Sequence, residues 1–334
     1  MTQDNLPLGD DGLQSVLAEE LEDIERRLTE AARSADPLVD PSAGHLLAAG
    51  GKRIRPVLVL LTSQFGTGVN DEVRAAAVAT ELTHLATLYH DDVMDSAPLR
   101  RGGPSAHEVW GNSVAILTGD LLFARASRIV ADLGPQAVRI QAEAFERLVL
   151  GQLHETLGPL EDEDPIEHYL QVLADKTGSL IAAAAHYGTI LSGASAQVEA
   201  AAVAYAEKVG VAFQLADDVI DLVSDAATTG KTPGTDLREG VPTMPVLLLR
   251  RAAAAGELDE AGRQLVADLD GDLSDDDVLV DVLGRLNAHP VLEQARVMAR
   301  TWATEAVEEL AVLPASPTKE ALGEFAHLLV DRLA

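Results

Sequence analysis

The sequence predicts an all-α fold, and three observations carry that prediction. Aromatic residues make up only 3 % of the chain, while Ala, Leu and Val dominate and alternating β-branched runs are scarce. Apolar residues recur at helical spacing along most of the length. Gly and Pro clusters, such as Gly102-Gly103-Pro104, Gly134-Pro135, Gly158-Pro159 and Pro233-Gly234, then punctuate the periodic segments.

The first segment, 13–33, places Leu13, Val16, Leu17, Leu21, Ile24 and Leu28 three and four apart. The same reading predicts helices over 71–95, 112–132, 136–157, 165–192, 195–225, 242–255, 277–286, 290–312 and 317–333. No linker or change of composition divides them, so one domain is expected over 1–334. The acidic stretch Asp268–Asp277 is not an EF-hand loop, because Gly271 is misplaced and no Glu closes it. It reads as a solvated connection.

A net charge of −29 argues against a nucleic-acid partner, since phosphate backbones are held by Lys and Arg. An anionic substrate would need local basic clusters and divalent metal to reverse the field. The absence of cysteine excludes disulfides, zinc–thiolate sites and thiol nucleophiles. The acidic N-terminus MTQDNLPLGDDG is not a secretory signal, and no apolar run is long enough to span a bilayer. A cytoplasmic setting is expected.

Chemistry concentrates in two DDxxD pentads, Asp91-Asp92-Val93-Met94-Asp95 and Asp217-Asp218-Val219-Ile220-Asp221. On a helix Asp91 lies over Asp95 and Asp217 over Asp221, a destabilising arrangement unless something positive sits between. Two such ends facing each other would form a cage of hard oxygen ligands suited to Mg²⁺. His84, Thr87, Asp91 and Asp95 form one stripe bordered by Glu81, and Gln214 shares a face with Asp217, Asp218 and Asp221. Taken alone, one pentad reads as an exposed polar face.

Basic residues change that reading. Arg100 and Arg101 precede two glycines just past the first pentad, and guanidinium is a natural fork for diphosphate oxygens. Lys231 follows the second pentad in Gly230-Lys231-Thr232-Pro233-Gly234-Thr235-Asp236. In Gly50-Gly51-Lys52-Arg53-Ile54-Arg55-Pro56, Lys52 and Arg55 can act as a second anion clamp, while Arg53 is expected to be a surface charge. Pro56 suits the first turn of a following helix. Asp175-Lys176-Thr177-Gly178 reads as a cation and hydroxyl opening or kinking a helix.

With GGKRIRP, ELTHLATLYHDDVMD, RRGG, GQLHE, DKTGSL, FQLADDVID and GKTPGTDLREG in order over about residues 45–250, the chain resembles the trans-isoprenyl diphosphate synthases, or polyprenyl synthetases. The resemblance implies a single large helical bundle around a central cavity, and a homodimer. It implies condensation of isopentenyl diphosphate with an allylic diphosphate, using about three Mg²⁺ ions per active site. Carried over, Asp91, Asp95 and Asp217 are metal ligands, and Asp92, Asp218 and Asp221 are ligands or water-mediated partners. Arg100, Lys176, Thr177, Gln214 and Lys231 would hold the allylic diphosphate. Lys52, Arg55, His84 and Arg101 would hold isopentenyl diphosphate, and Gln152 and Glu155 would support the metal site.

Two departures are visible. Many relatives have Asp where this chain has Glu155, and Val241 stands where relatives often carry a lysine. One cation is therefore missing beside the leaving diphosphate. Small residues at Thr83, Ala86 and Thr87, where the family's short-chain members carry a bulky aromatic, imply a long all-trans product. They would equally permit close helix packing, with a plug such as Phe123 or Leu122 elsewhere. The rival readings are a terpene cyclase on the same fold and a non-catalytic subunit of a heteromeric synthase. A cyclase would replace the second pentad by an Asn/Ser/Glu motif and would not need the isopentenyl clamp. A non-catalytic subunit would be expected to lose a pentad. Calcium buffering leaves the basic clusters unexplained.

Overall fold

The structure, a computed structural model, describes residues 8–223, 234–238 and 240–331. Helix α1 (Asp11–Ala32) starts where the Asp10 carboxylate accepts from the Leu13 N–H, and it buries Leu13, Leu17, Leu21, Ile24 and Leu28. Val16, at the edge of that stripe, stays exposed. Two one-turn helices, α2 (Asp40–Ala43) and α3 (His45–Ala48), lead into the basic turn and α4 (Ile54–Ser63). Val57 through Leu61 of α4 are all buried, so this helix is apolar all round. It is the helix whose first turn Pro56 suits.

Helix α5 (Asp71–Met94) is capped by Asn70, whose side chain accepts from the Val73 N–H, and it ends on the first pentad. A small antiparallel hairpin follows, β1 (Leu99–Arg100) against β2 (Gly103–Pro104). After α6 (Ala106–Trp110) come the long antiparallel pair α7 (Asn112–Asp132) and α8 (Pro135–Leu157). The segment expected as one helix over 165–192 is α9 (Pro165–Leu173), a π turn at Ala174–Gly178, and α10 (Ser179–Leu191). Helix α11 (Ala196–Val223) carries the second pentad. Then follow α12 (Thr235–Arg238), α13 (Met244–Ala254), α14 (Glu260–Leu269), α15 (Asp276–Ala288), α16 (Pro290–Glu309) and α17 (Pro317–Val330).

Helices α4, α5, α10 and α11 pack successively against one another, with α7 covering α5 and α16 covering α11. One continuous apolar core runs through them, from Leu8 to Val330. The acidic connection lies between α14 and α15, where Asp275 caps α15 by accepting from Asp277 and Val278. Among the described residues no helix is long and apolar enough to cross a membrane.

Candidate active site

The first pentad ends α5 with its carboxylates in different settings. Asp92 lies about 100° around the helix from Asp91 and is fully buried. Its Oδ1 accepts from Arg100 Nε at 2.6 Å, so β1 is tied to the helix end by a buried ion pair. Burial pushes the Asp91 carboxyl up to about 6, against the pull of Lys176 and Arg100, while Asp95 and Glu155 push it further up. Asp95 is raised for the same reasons, burial first. Asp91, Asp95, Glu155, Lys176 and Arg100 therefore form one electrostatic cluster.

Beside it lies a concentration of positive charge. Burial brings Arg55 down to about 10, with Glu81 opposing and Arg101 adding to the fall. Arg101 is lowered chiefly by burial, and its Nη1 donates to the Leu46 carbonyl at 3.1 Å and to that of Gly50. His84 sits well below the ordinary imidazole range, from burial and then from Arg55, Arg101, Arg100 and Arg53. Lys52 reaches across to α11, its Nζ 5.4 Å from the centre of the Phe213 ring. A chain of net charge −29 thus gathers four guanidiniums around one imidazole, an arrangement that calls for an anion.

Arg53 corrects the sequence expectation of a surface charge. It is 3 % exposed, donates to Glu81 Oε1 at 2.9 Å, and is clasped by both carboxylate oxygens of Glu25. Both partners lie 28 residues away, beyond the reach of any local pattern.

The second pentad is built differently. Asp218 is 3 % exposed, and its Oδ2 accepts from the Tyr169 hydroxyl at 2.9 Å and the Met244 N–H at 3.3 Å. Burial pushes this carboxyl well above its usual range, helped by Asp236 and Asp217. Asp217 and Asp221 occupy the same helix end, and the Asp221 carbonyl accepts from Gly234 N–H at 3.0 Å. Lys231 lies outside the described residues. Val241 donates its N–H to the Asp236 carbonyl at 2.9 Å and brings no charge to this acidic corner.

The π turn joins the two halves. Thr177 Oγ1 is 3.3 Å from Gln214 Oε1, and Lys176 Nζ is 2.5 Å from Glu155 Oε2, which also accepts from Gln152 Nε2 at 3.0 Å. Arg147 Nε holds Asp175 Oδ1 at 2.7 Å, and Gln171 holds the other oxygen at 2.8 Å. Two glycines admit the widened turn. A Cβ on Gly151 would lie 2.6 Å from Lys176 N, and one on Gly210 would lie 2.5 Å from Gly178 Cα. Helix widening of this kind is frequent at functional sites.

Sequence reasoning missed Tyr169 and Arg147. No local signal marks Tyr169: the chain's other tyrosines, Tyr89, Tyr187 and Tyr205, are fully buried and donate to backbone carbonyls, whereas Tyr169 serves a pentad.

Thr83, Ala86 and Thr87 are all buried. Thr83 Oγ1 accepts from Gln141 of α8 at 2.7 Å. Gly119 of α7 packs so closely that a Cβ there would lie 3.0 Å from the Ala86 carbonyl oxygen. Close packing is therefore part of what the small residues do here. Leu122 is buried in the core, and Phe123 stacks on Phe145 with ring centres 4.1 Å apart.

The donor set fits a hard divalent cation: carboxylate oxygens raised by burial and mutual repulsion lack a positive charge. Among the described residues no three acidic or imidazole side chains converge enough to hold an ion alone. Substrate oxygens would complete the coordination.

The polyprenyl synthetase family profile matches residues 36–268. The chain is 45 % identical over 310 residues to a nonaprenyl diphosphate synthase of Mycobacterium tuberculosis, covering 92 % of this chain and 91 % of that one. It is 32 % identical over 322 residues to the octaprenyl diphosphate synthase of Escherichia coli, covering 96 % and 98 %. A geranylgeranyl pyrophosphate synthase of Corynebacterium glutamicum, solved with calcium and isoprenyl diphosphate, superposes with a TM-score of 0.85 at 41 % identity, covering 98 % and 99 %. The chain belongs to the polyprenyl synthetase family and is a prenyltransferase with the all-α isoprenoid synthase fold.

Proposed function

We propose that the protein condenses isopentenyl diphosphate head-to-tail with an allylic diphosphate to give a long-chain, all-trans polyprenyl diphosphate. The observation that carries this reading is the juxtaposition of the basic pocket around His84 with the carboxylate cluster of Asp91, Asp95 and Glu155. Two substrates that both carry diphosphate need two anion sites, one bridged by metal and one purely basic. The names of the nonaprenyl and octaprenyl relatives support the long product.

Asp91, Asp95 and Asp217 would hold Mg²⁺, about three ions per site, which on binding neutralise charge developing on the leaving diphosphate. Asp221 would join them directly or through water. Asp92 and Asp218, each turned to a protein partner, would position the helix ends instead. Arg100, Lys176, Thr177 and Gln214, with Lys231, would orient the allylic diphosphate, Lys176 exchanging Glu155 for phosphate oxygen. Lys52, Arg55 and Arg101 would fix isopentenyl diphosphate. His84, neutral in its cationic surroundings, contributes a hydrogen bond rather than charge.

The allylic C–O bond breaks with its electron pair leaving on diphosphate. The isopentenyl double bond attacks the allylic carbon, and the proton lost afterwards passes to the departed diphosphate. The Ala- and Leu-rich helices keep water from the cation. No protein nucleophile is required.

The same proposal includes a single domain over 1–334, supported by the unbroken core, and a cytoplasmic setting. It also includes a homodimer. Val114, Ile116 and Leu117 of α7 and Val149, Leu150 and Leu153 of α8 are exposed, an apolar surface suited to a second copy.

The test is product analysis: purified protein with Mg²⁺, labelled isopentenyl diphosphate and, separately, dimethylallyl, geranyl, farnesyl or geranylgeranyl diphosphate. A ladder ending in one long prenyl alcohol after dephosphorylation is expected. Cyclised hydrocarbon without isopentenyl incorporation would select the cyclase, and binding without turnover a missing subunit. Ala86→Phe is expected to shorten the product; unchanged length would remove that face from the tunnel wall.

A further inference from the structure

We infer that Glu25, Arg53 and Glu81 form an ion triad, buried at Arg53 and Glu81, that positions the isopentenyl diphosphate clamp, making them positioning residues for one of the two substrates. The inference rests on the proposed condensation. Arg53 adopts φ 51° and ψ 33°, a left-handed conformation unusual for a residue with a side chain. Such strain persists only where surroundings over-determine it. Here the determinants are Nη1 to Glu81 at 2.9 Å, Nη2 to Glu25 Oε2 at 3.1 Å, and Nε to Glu25 Oε1.

The location gives the strain a use. Arg53 stands between Lys52, which reaches the Phe213 ring on α11, and Arg55, which lies half-buried near His84. The left-handed residue sets the directions in which those two cations leave the chain. Arg53 and Arg101 both lie over Gly51, where a Cβ would be 2.5 Å from Arg53 Nη1 and 3.1 Å from each terminal nitrogen of Arg101. Like charges at such range need a shared counter-charge. Glu81, 2 % exposed, supplies it: it binds Arg53 and favours the charged forms of Arg55 and Arg101. Glu25 comes from α1, before the span 36–268 that the family profile matches.

A structural staple would change stability and treat both substrates alike. A positioning triad acts on one. Steady-state kinetics of Arg53→Gln, Glu25→Gln and Glu81→Gln should therefore be measured with each substrate varied against a saturating partner. The KM for isopentenyl diphosphate is expected to rise about tenfold or more, with that for the allylic diphosphate within about twofold. Arg53→Lys should restore only part of the loss, because one ammonium cannot bridge two carboxylates as a planar guanidinium does.

Glu25→Gln keeps the measurement possible if Arg53→Gln does not fold, since it removes one charge from the distant helix. Equal movement of both KM values, or loss of thermal stability with neither moved, would overturn the inference. If wild-type protein makes no product, the proposed function fails. Calorimetric titration of isopentenyl diphosphate into wild type and Glu25→Gln then decides the inference separately. Weaker binding to the variant supports it, and equal or absent binding rejects it.

Discussion

At the end of α5 the buried middle aspartate, Asp92, meets a guanidinium, with Arg100 Nε at 2.6 Å. At the end of α11 its counterpart, Asp218, meets a phenol and a backbone N–H. The same five-residue motif is thus neutralised by a cation on one side and by neutral donors on the other. Lys176 and Arg100 act on the first pentad, whereas Asp236 stands beside Asp218 in the second, with Val241 where a lysine is common in the family. On the proposed function, the α5 side would grip diphosphate with Arg100 and Lys176, and the α11 side would rely on bound metal and on Lys231, which lies outside the described residues.

Removing metal ligands should break both sides together. Asp91→Asn and Asp217→Asn are each expected to lower turnover by about 10²-fold or more, as is chelation of divalent metal in the wild type. Prenyl transfer measured under saturating substrate would reveal any side that survives. Asymmetry should appear instead in the buried partners. Arg100→Gln leaves Asp92 charged and sealed, and should cost about 3–5 kcal/mol in urea denaturation. Tyr169→Phe removes one neutral donor and should cost about 1–3 kcal/mol. Equal losses would mean that the two ends are supported alike.

A third test uses pH. Because Asp91 is raised from 3.8 to about 6, the folded protein binds more protons there than the unfolded chain within that window. Stability contributed by this site is therefore highest at low pH and falls as pH rises toward 6. Asp91→Asn should stabilise metal-free protein at pH 8 by up to about 3 kcal/mol even as it lowers turnover. Added Mg²⁺ should stabilise wild type more than the variant, as read by thermal denaturation. The smallest effect is expected from Val241→Lys. A cation beside Asp236 should lower the KM for the allylic diphosphate about two- to fivefold, an effect that weakens with salt.

Much of this site could be read before any coordinates, because helical spacing turns sequence into geometry. Asp91 and Asp95, or Gln214 and Asp217, share a face by arithmetic alone, and Thr177 does meet Gln214. Asp175-Lys176-Thr177-Gly178 reads as opening or kinking a helix and is a π turn. What escaped were contacts closed by tertiary packing. Arg53 finds its glutamates 28 residues away, and Tyr169 finds Asp218 at a separation of 49. A charge in an exposed-looking turn carries no local mark of its burial. Helix α4 was signalled only by Pro56 in its first turn, since its buried run Val57–Leu61 leaves no one-sided stripe.

The π turn has an implication for how this chain can change. A π turn is an α-helix carrying one residue more than its neighbours' register allows. Deleting a single residue between Ala174 and Gly178 would close the bulge into ordinary α-helix, leaving the flanking helices in phase while re-aiming the side chains within the turn. Lys176 and Thr177 would lose Glu155 and Gln214 together. Substitutions here can be graded, but length cannot: this stretch should tolerate chemical variation far better than the loss or gain of one residue, and only while Gly151 and Gly210 leave the space it occupies.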